Sequence, residues 1–313
     1  MVKLDPDGNP VWSRGFGAAE VDGGANGGAS GGHIAVDGSG NVLVTGYFQG
    51  AVDFGGGELV SAGKNDVFLV KLGADGKHLW SKRYGDDNDQ YGSAVAVDGS
   101  DRVLVTGYFM GKVDFNGGPL DSAGQNDIFV AKLDATGKHL WSKRYGDAAD
   151  QWGSAIAVDS SGNELLTGSY NGTVDFGGGP LAAAEQNGRS AFVAKLAPDG
   201  KHVWSLGWAT SSGSGIAVDG SDNMLVTGSG GSTGFGVTCL GGIGIPLVKL
   251  DAAGKVLWAR CFGSANSAYG NGIAVEVAGN VLVTGRSSAT ADFGGGPLAD
   301  QSSVVVFAAK FGH

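Results

Sequence analysis

No apolar run in this chain approaches the roughly 18 residues that a membrane helix needs. The N-terminus, MVKLDPDGNPVW, has neither the cationic start nor the apolar core of a secretory signal. Basic residues are also in deficit: Lys and Arg number 21 against 31 Asp and Glu, a net charge of −10. That removes the electrostatic footprint of a nucleic-acid binder and disfavours anionic membranes, so neither nucleic acid nor membrane insertion is expected. There are only two cysteines, with no zinc-ligand spacing, and no nucleophile motif or phosphate loop. No cofactor is expected, and the chain is read as a monomer. What is abundant is glycine, 60 of 313 residues, against about 7% in ordinary domains, without the triplet of collagen. Turn-rich all-β chains use glycine in this way.

The stretch GKHLWSKRYGD occupies 76–86 and recurs letter for letter at 137–147. It belongs to a longer period marked by a Lys, a Gly turn and a Trp: Lys71 with Trp80, Lys132 with Trp141, Lys195 with Trp204 and Lys249 with Trp258. Lys3 with Trp12 opens the series and Lys310 closes it. Each repeat resolves into four short β runs, A to D, separated by turn residues. In the second repeat A is 93–98, B 103–109, C 127–133 and D 138–145. B recurs as NVLVTG, RVLVTG, ELLTG, MLVTG and NVLVTG, which makes five repeats.

Four-stranded sheets repeated radially dispose of exposed strand edges. The pattern predicts an all-β, five-bladed β-propeller of four-stranded antiparallel blades, a single domain over 1–313. A β-solenoid is the alternative, but its repeats are usually shorter and it needs caps that the sequence lacks. Ala35, Ala96, Ala157, Ala217 and Ala274 supply small residues for the innermost strand A. The chain opens on a D-like strand, 9–17, and ends on a C-like one. Closure is therefore predicted by pairing the N-terminal D strand with the C-terminal A, B and C strands, with residues 1–4 displaced or frayed. Beginning in mid-motif is what a domain excised from a longer protein would do.

FVAKLAPDGKHVWS, IAVDSSGN and VDFGGGPL resemble the SBBP-type β-propeller repeats of large bacterial surface and secreted proteins, notably of myxobacteria, over essentially the whole chain. The resemblance implies a propeller in an extracellular, cell-surface or periplasmic setting. It supplies no catalytic residue, and the family name mentions seven blades where five are counted here.

Most repeated polar residues read as scaffold. The acids ending strand A (Asp37, Asp98, Asp159, Asp219, Glu276) each precede a Gly/Ser/Asn turn whose N–H groups a carboxylate can accept. Catalysis would need unlike acids in unlike environments. The VDFGGG acids (Asp53, Asp114, Asp175, Asp292) are loop anchors by the same logic, one per loop and short of a calcium site. The run Asp86 to Gln90 is a better oxygen cluster, and calcium is the only metal worth weighing. The strand C lysines and the Lys82–Arg83 and Lys143–Arg144 pairs read as a solvated rim, the strand D tryptophans as packing between blades, and His78, His139 and His202 as exposed.

Function is sought where repeats differ. His33 stands where other repeats have Ala or Gly, at the mouth of the expected channel. The D–A loops place Asp89, Gln90, Tyr91, Asp150, Gln151, Trp152, Trp208, Asn266 and Tyr269 on one face. Aromatic surfaces beside amide and carboxylate groups suit flat polar ligands such as sugars, while plugging the entrance is the plainer role. Cys239 and Cys261, both unique to the fourth repeat, read as a disulfide pinning its B–C loop to strand D, which fits an oxidising compartment. The reading is a non-enzymatic extracytoplasmic recognition or scaffold module with a glycan or protein ligand. The alternatives are a carbohydrate-active hydrolase or lyase using a carboxylate and His33, and a pure spacer.

Overall fold

A computed structural model describes residues 1–19, 28–183, 188–209, 211–231, 234, 237–239, 243–263, 268–288, 292–296 and 304–312. Every regular element among them is a strand; the longer strands form the five blades of a β-propeller, and short ones form small separate sheets. Two compact units are distinguished, Met1–Arg144 with blades 1 and 2, and Tyr145–His313 with blades 3 to 5. In blade 1, strands A to D are Ala29–Val36, Val42–Phe48, Asp66–Leu72 and His78–Tyr84; in blade 2 they are Gln90–Val97, Val103–Phe109, Asp127–Leu133 and His139–Tyr145. Blade 3 comprises Gln151–Val158, Glu164–Tyr170, Ser190–Leu196 and His202–Ala209, and blade 4 Ser211–Val218, Met224–Gly230, Ile245–Leu250 and Val256–Phe262. Blade 5 has Ala268–Val275, Val281–Ser287 and Val305–Phe311.

Strands B, C and D of blade 2 lie within a residue of their predicted bounds, but A starts three residues earlier than 93. A bulge between Gly92 and Ala94 lets the strand continue past Ser93, so Gln90 and Tyr91 are strand rather than loop. The same bulge recurs in the other blades. It explains the repeated Val-Thr-Gly of strand B. The Thr106 hydroxyl donates to the Phe129 carbonyl of strand C at 2.8 Å, and Gly107 takes the Tyr91 carbonyl and the Phe129 ring where a Cβ would stand.

The acids ending strand A do anchor their turns: Asp37 Oδ1 accepts the Ser39 and Asn41 N–H groups, each at 2.9 Å. What the sequence reading missed is the partner of the other oxygen. The strand C lysines of blades 1 to 3 are not a solvated rim. Lys71 and Lys132 are only 5% and 1% exposed, and each blade pairs its lysine with its own strand A acid. Lys71–Asp37 and Lys195–Asp159 lie at 2.7 and 2.8 Å, Lys249–Asp219 at 2.8 Å and Lys310–Glu276 at 2.7 Å. Lys71 Nζ and Trp80 Nε1 both donate to the Ala135 carbonyl in the C–D turn of blade 2, and Lys195 and Trp204 treat Ala252 of blade 4 likewise. Each adjoining turn is thus held by one ammonium and one indole. Gly76, at φ +78°, receives the Trp12 ring in the corresponding turn of blade 1.

Desolvation alone would raise the Asp37 and Asp219 pKa values, but hydrogen bonds from their lysines and from Asn41 or Asn223 prevail and bring both down to about 2. Folded values below the unfolded carboxylate value near 4 mean that this stability is complete above about pH 4 and lost as pH falls through 2, about 2 kcal/mol for each acid. Urea unfolding should therefore show a plateau at weakly acidic pH and a steep fall below pH ~4; a flat profile there would contradict the pairing.

Two strand D arginines are likewise structural. Arg83 ties onto fully buried Asp66, whose Oδ2 also accepts Ala62 N–H from the B–C loop, and Arg144 pairs with Asp127 at 2.5 Å. In blade 4 the Cys239–Cys261 disulfide, Cα–Cα 5.2 Å, makes the same loop-to-strand tie covalently, with Cys261 at the Arg83 position. A closed loop of this span is worth about 3 kcal/mol.

The predicted closure differs from the structure. Pro10–Ser13 pairs with Val2–Leu4 in a two-stranded sheet, and the blade 5 sheet has three strands among the described residues. Residues 1–4 are neither displaced nor frayed. Val2–Leu4 and Pro10–Ser13 are the end of a C strand and a D strand joined by a tight turn, with Asp5 Oδ1 accepting Asp7 and Asn9 N–H. Lys3 pairs with Trp12 as Lys71 pairs with Trp80. A hairpin with so short a loop costs little closure entropy, and it occupies the edge that a distant strand would have to win.

Candidate functional site

The second residue of strand A stands at the same register in every blade: Ser30 opposite Tyr47, Tyr91 opposite Tyr108, Trp152 opposite Ser169, Ser212 opposite Ser229 and Tyr269 opposite Arg286. The strand A partner immediately precedes that strand's bulge, and the strand B partner immediately follows its Thr-Gly. The scaffold is constant there while the side chains change.

In the first unit this position gathers three half-buried tyrosines. Tyr91 stacks on Tyr108 with ring centres 4.9 Å apart and meets Tyr47 edge-on at 4.7 Å. Asn65, the residue before strand C of blade 1, donates from Nδ2 to the Tyr91 hydroxyl at 3.1 Å and to Asp89 Oδ1 at 2.8 Å. Lys64 Nζ approaches the other Asp89 oxygen at 3.5 Å. Burial works to raise the Asp89 pKa, but the Asn65 bonds and the Lys64 charge hold it below the ordinary value. Burial and the Asp89 charge raise that of Tyr91, so at neutral pH a carboxylate faces an intact phenol. A rigid aromatic surface therefore lies beside an amide, a carboxylate and an ammonium.

Gln90 and Gln151 do not belong to such a surface. Both are fully buried; each donates from Nε2 to an aspartate, Asp86 or Asp147, and to a strand B–C loop carbonyl, while its Oε1 accepts the aspartate's own N–H. The first acid of the 86–90 run is spent in the same way, with Asp86 Oδ2 accepting Lys112 N–H at 2.9 Å. Among the described residues no three His, Cys, Asp or Glu side chains converge as metal ligands. Trp208 is 6% exposed and packs in the core of blades 3 and 4. Asp150 accepts the Asn171 N–H on its backbone carbonyl. Asn266 lies outside the described residues.

His33 follows the strand A bulge of blade 1, with Nδ1 3.1 Å from the Val95 carbonyl. The residue is open to solvent overall, but its ring is crowded by protein, and that desolvation lowers its pKa against the raising effect of the carbonyl. It borders a cavity of about 350 Å³ whose other walls include Phe16, Val44, Phe54, Phe68 and Val70. These walls are apolar, and among the described residues no acid lines the cavity beside His33.

His78 is not exposed as expected: its ring covers Gly56 of the glycine loop and bonds the Ser81 hydroxyl at 3.0 Å, and His139 and His202 repeat this on Gly117 and Gly178. The loop acids accept glycine N–H groups, as Asp53 does from Gly55 and Gly57.

In the second unit Trp152 carries the Arg189 guanidinium 4.0 Å above its ring, and Tyr269 carries Arg286 at 4.8 Å. Tyr47, Tyr108, Asn65 and these arginines escaped the sequence reading. The register would have found the strand B members, because GYF, GYF, GSY, GSG and GRS differ at the residue that faces strand A.

No protein-family model matches the chain. Over 158 residues, 44% of its length, it is 24% identical to an uncharacterized WD repeat-containing protein of Acanthamoeba polyphaga mimivirus, covering 11% of that protein. Over 142 residues, again 44% of the chain, it is 26% identical to the regulatory protein FlaEY of Caulobacter vibrioides, covering 15% of it. The chain thus matches only a small part of the length of these curated relatives. Among solved structures, a gluconolactonase from Xanthomonas campestris aligns with 85% of this chain and 79% of its own, at 15% identity and TM-score 0.39. The Dos1 propeller aligns with 84% and 67% (11%, TM-score 0.43), and the PQQ-bound aldose sugar dehydrogenase of Streptomyces coelicolor with 90% and 94% (12%, TM-score 0.36). Its own five blades and the WD-repeat relative place the chain, in general terms, among propeller-repeat proteins.

Proposed function

We propose that the chain is a non-enzymatic recognition module, one propeller domain of an extracytoplasmic protein built from SBBP-type repeats, and that it binds glycans. The tyrosine platform carries this reading. Tyr47, Tyr91 and Tyr108 gather in one aromatic cluster, and Asn65 and Asp89 supply directed polar groups at its edge. Sugars present one flat apolar face and an equatorial rim of hydroxyls, which such a surface matches by stacking and a few hydrogen bonds. The disulfide is consistent with an oxidising compartment.

A neutral-glycan array followed by calorimetric titration tests it. Saturable binding is expected, with Tyr91→Ala weakening it at least about tenfold, or 1.4 kcal/mol. Absence of saturable binding across the array would remove recognition and leave a scaffold.

A further inference from the structure

Two arginines in the second unit have a chemistry that the scaffold does not use. Three other arginines are tied to acids, Arg83 to Asp66, Arg144 to Asp127 and Arg102 to Asp98, while Arg260 of strand D lies 5.7 Å over the Trp258 ring of its own strand. Arg189 and Arg286 are exposed, and among the described residues no carboxylate pairs with either. Each instead lies over the ring at the second position of strand A, Trp152 in blade 3 and Tyr269 in blade 5. Blade 4, which packs between them, has Ser212 and Ser229 at that register, half-buried hydroxyls with no ring and no charge. The result is two cation–aromatic pairs flanking a shorter, hydroxyl-bearing step on consecutive blades.

A guanidinium laid on an aromatic face is held in orientation while its N–H groups stay free around its edge. That planar fork matches a carboxylate through two parallel hydrogen bonds. In a chain of net charge −10, two arginines laid over equivalent rings, with no carboxylate partner among the described residues, favour a compact ligand with few charges over a long polyanion. We propose that this row binds carboxylate-bearing saccharides, uronate residues in particular, with Arg189 and Arg286 taking the carboxylates and Ser212 and Ser229 the ring hydroxyls between them.

The proposal deepens the recognition reading and rests on it, but the residues are separate from the Tyr91 platform, so the two can fail independently. The probe is trigalacturonate, titrated by calorimetry and tryptophan fluorescence. Its methyl ester has the same shape without charge, and inorganic sulfate is an anion without a sugar. Saturable binding of trigalacturonate is expected, weakened about tenfold or more by esterification, by salt, and by Arg189→Gln or Arg286→Gln, with the thermal midpoint unchanged. The proposal is overturned if the ester binds equally, if the arginine variants bind as the parent does, if sulfate competes as well as trigalacturonate, or if no saturable binding occurs at millimolar concentration. Neutral glycans binding through Tyr91 while trigalacturonate does not would leave the recognition reading standing and this one refuted.

Discussion

Replacing Asp37 with alanine should lower the stability of the chain by about 3 to 5 kcal/mol, the cost of leaving a buried ammonium without its counter-charge. Lys71 is 5% exposed and has two anionic or dipolar partners, the Asp37 carboxylate at 2.7 Å and the Ala135 carbonyl at 3.2 Å. The second cannot neutralise it. Asp37 also accepts two turn N–H groups, so its loss unmakes the A–B turn as well. The double replacement Asp37→Asn with Lys71→Met removes both charges and keeps the turn acceptor, and it should recover most of the loss, because a buried ion pair replaced as a pair is often neutral. Denaturant midpoints for the three proteins decide the matter. If the single variant lost under about 1 kcal/mol, Lys71 would have to reach water more readily than the packing indicates.

The second large effect is expected at Gly107. Alanine there would drive its Cβ into the Tyr91 carbonyl and against the Phe129 ring, neither of which has room to move. Phe129 is fully buried, and the Tyr91 carbonyl is fixed by the strand A bulge. Overpacking of this kind costs about 3 kcal/mol. Because the displaced group is the backbone of Tyr91, the tyrosine platform should be disturbed together with the fold. Near-ultraviolet circular dichroism of the tyrosines should weaken along with the denaturation midpoint. Gly99→Ala, where nothing lies within 4 Å of the new methyl group, is the control.

The architecture was legible because the repeat writes it five times. Val-Thr-Gly, the Asx turns and the Lys–Trp spacing each have one local geometric reason, and repetition separates that reason from chance. Legibility failed where a residue's role depended on a neighbouring blade. Nothing local says that Lys71 is buried, since its acid lies 34 residues away and its carbonyl 64 residues away. The glutamines of DNDQ and AADQ looked like loop ligands because the bulge that extends strand A leaves no mark in composition; it is visible only in how Gly92 and Ala94 pair. His78 was misjudged for a different cause: its cover is a glycine loop of its own blade, brought to it only by the fold. The N-terminal hairpin shows the opposite error, a long-range pairing expected where a short one forms.

The candidate site was half legible. Tyr91, Trp152 and Tyr269 were found because aromatic residues replace Ser at one repeat position. Tyr47, Tyr108, Asn65 and the arginines were missed because they come from strand B or the start of strand C and meet strand A only through register. The repeated eleven-residue segment serves packing through three of its side chains, with Trp80 on the adjoining turn, His78 on a glycine loop and Arg83 on a buried acid.

Repeated residues build the blades, and the glycan-binding role proposed for the tyrosine platform rests on the unlike residue at the second position of strand A. The most direct measurement is the glycan affinity of Tyr91→Ala at a temperature where its unfolding curve shows it fully folded. The account predicts affinity reduced about tenfold or more in that folded protein; a folded Tyr91→Ala variant that binds the same glycan as tightly as the parent would contradict it.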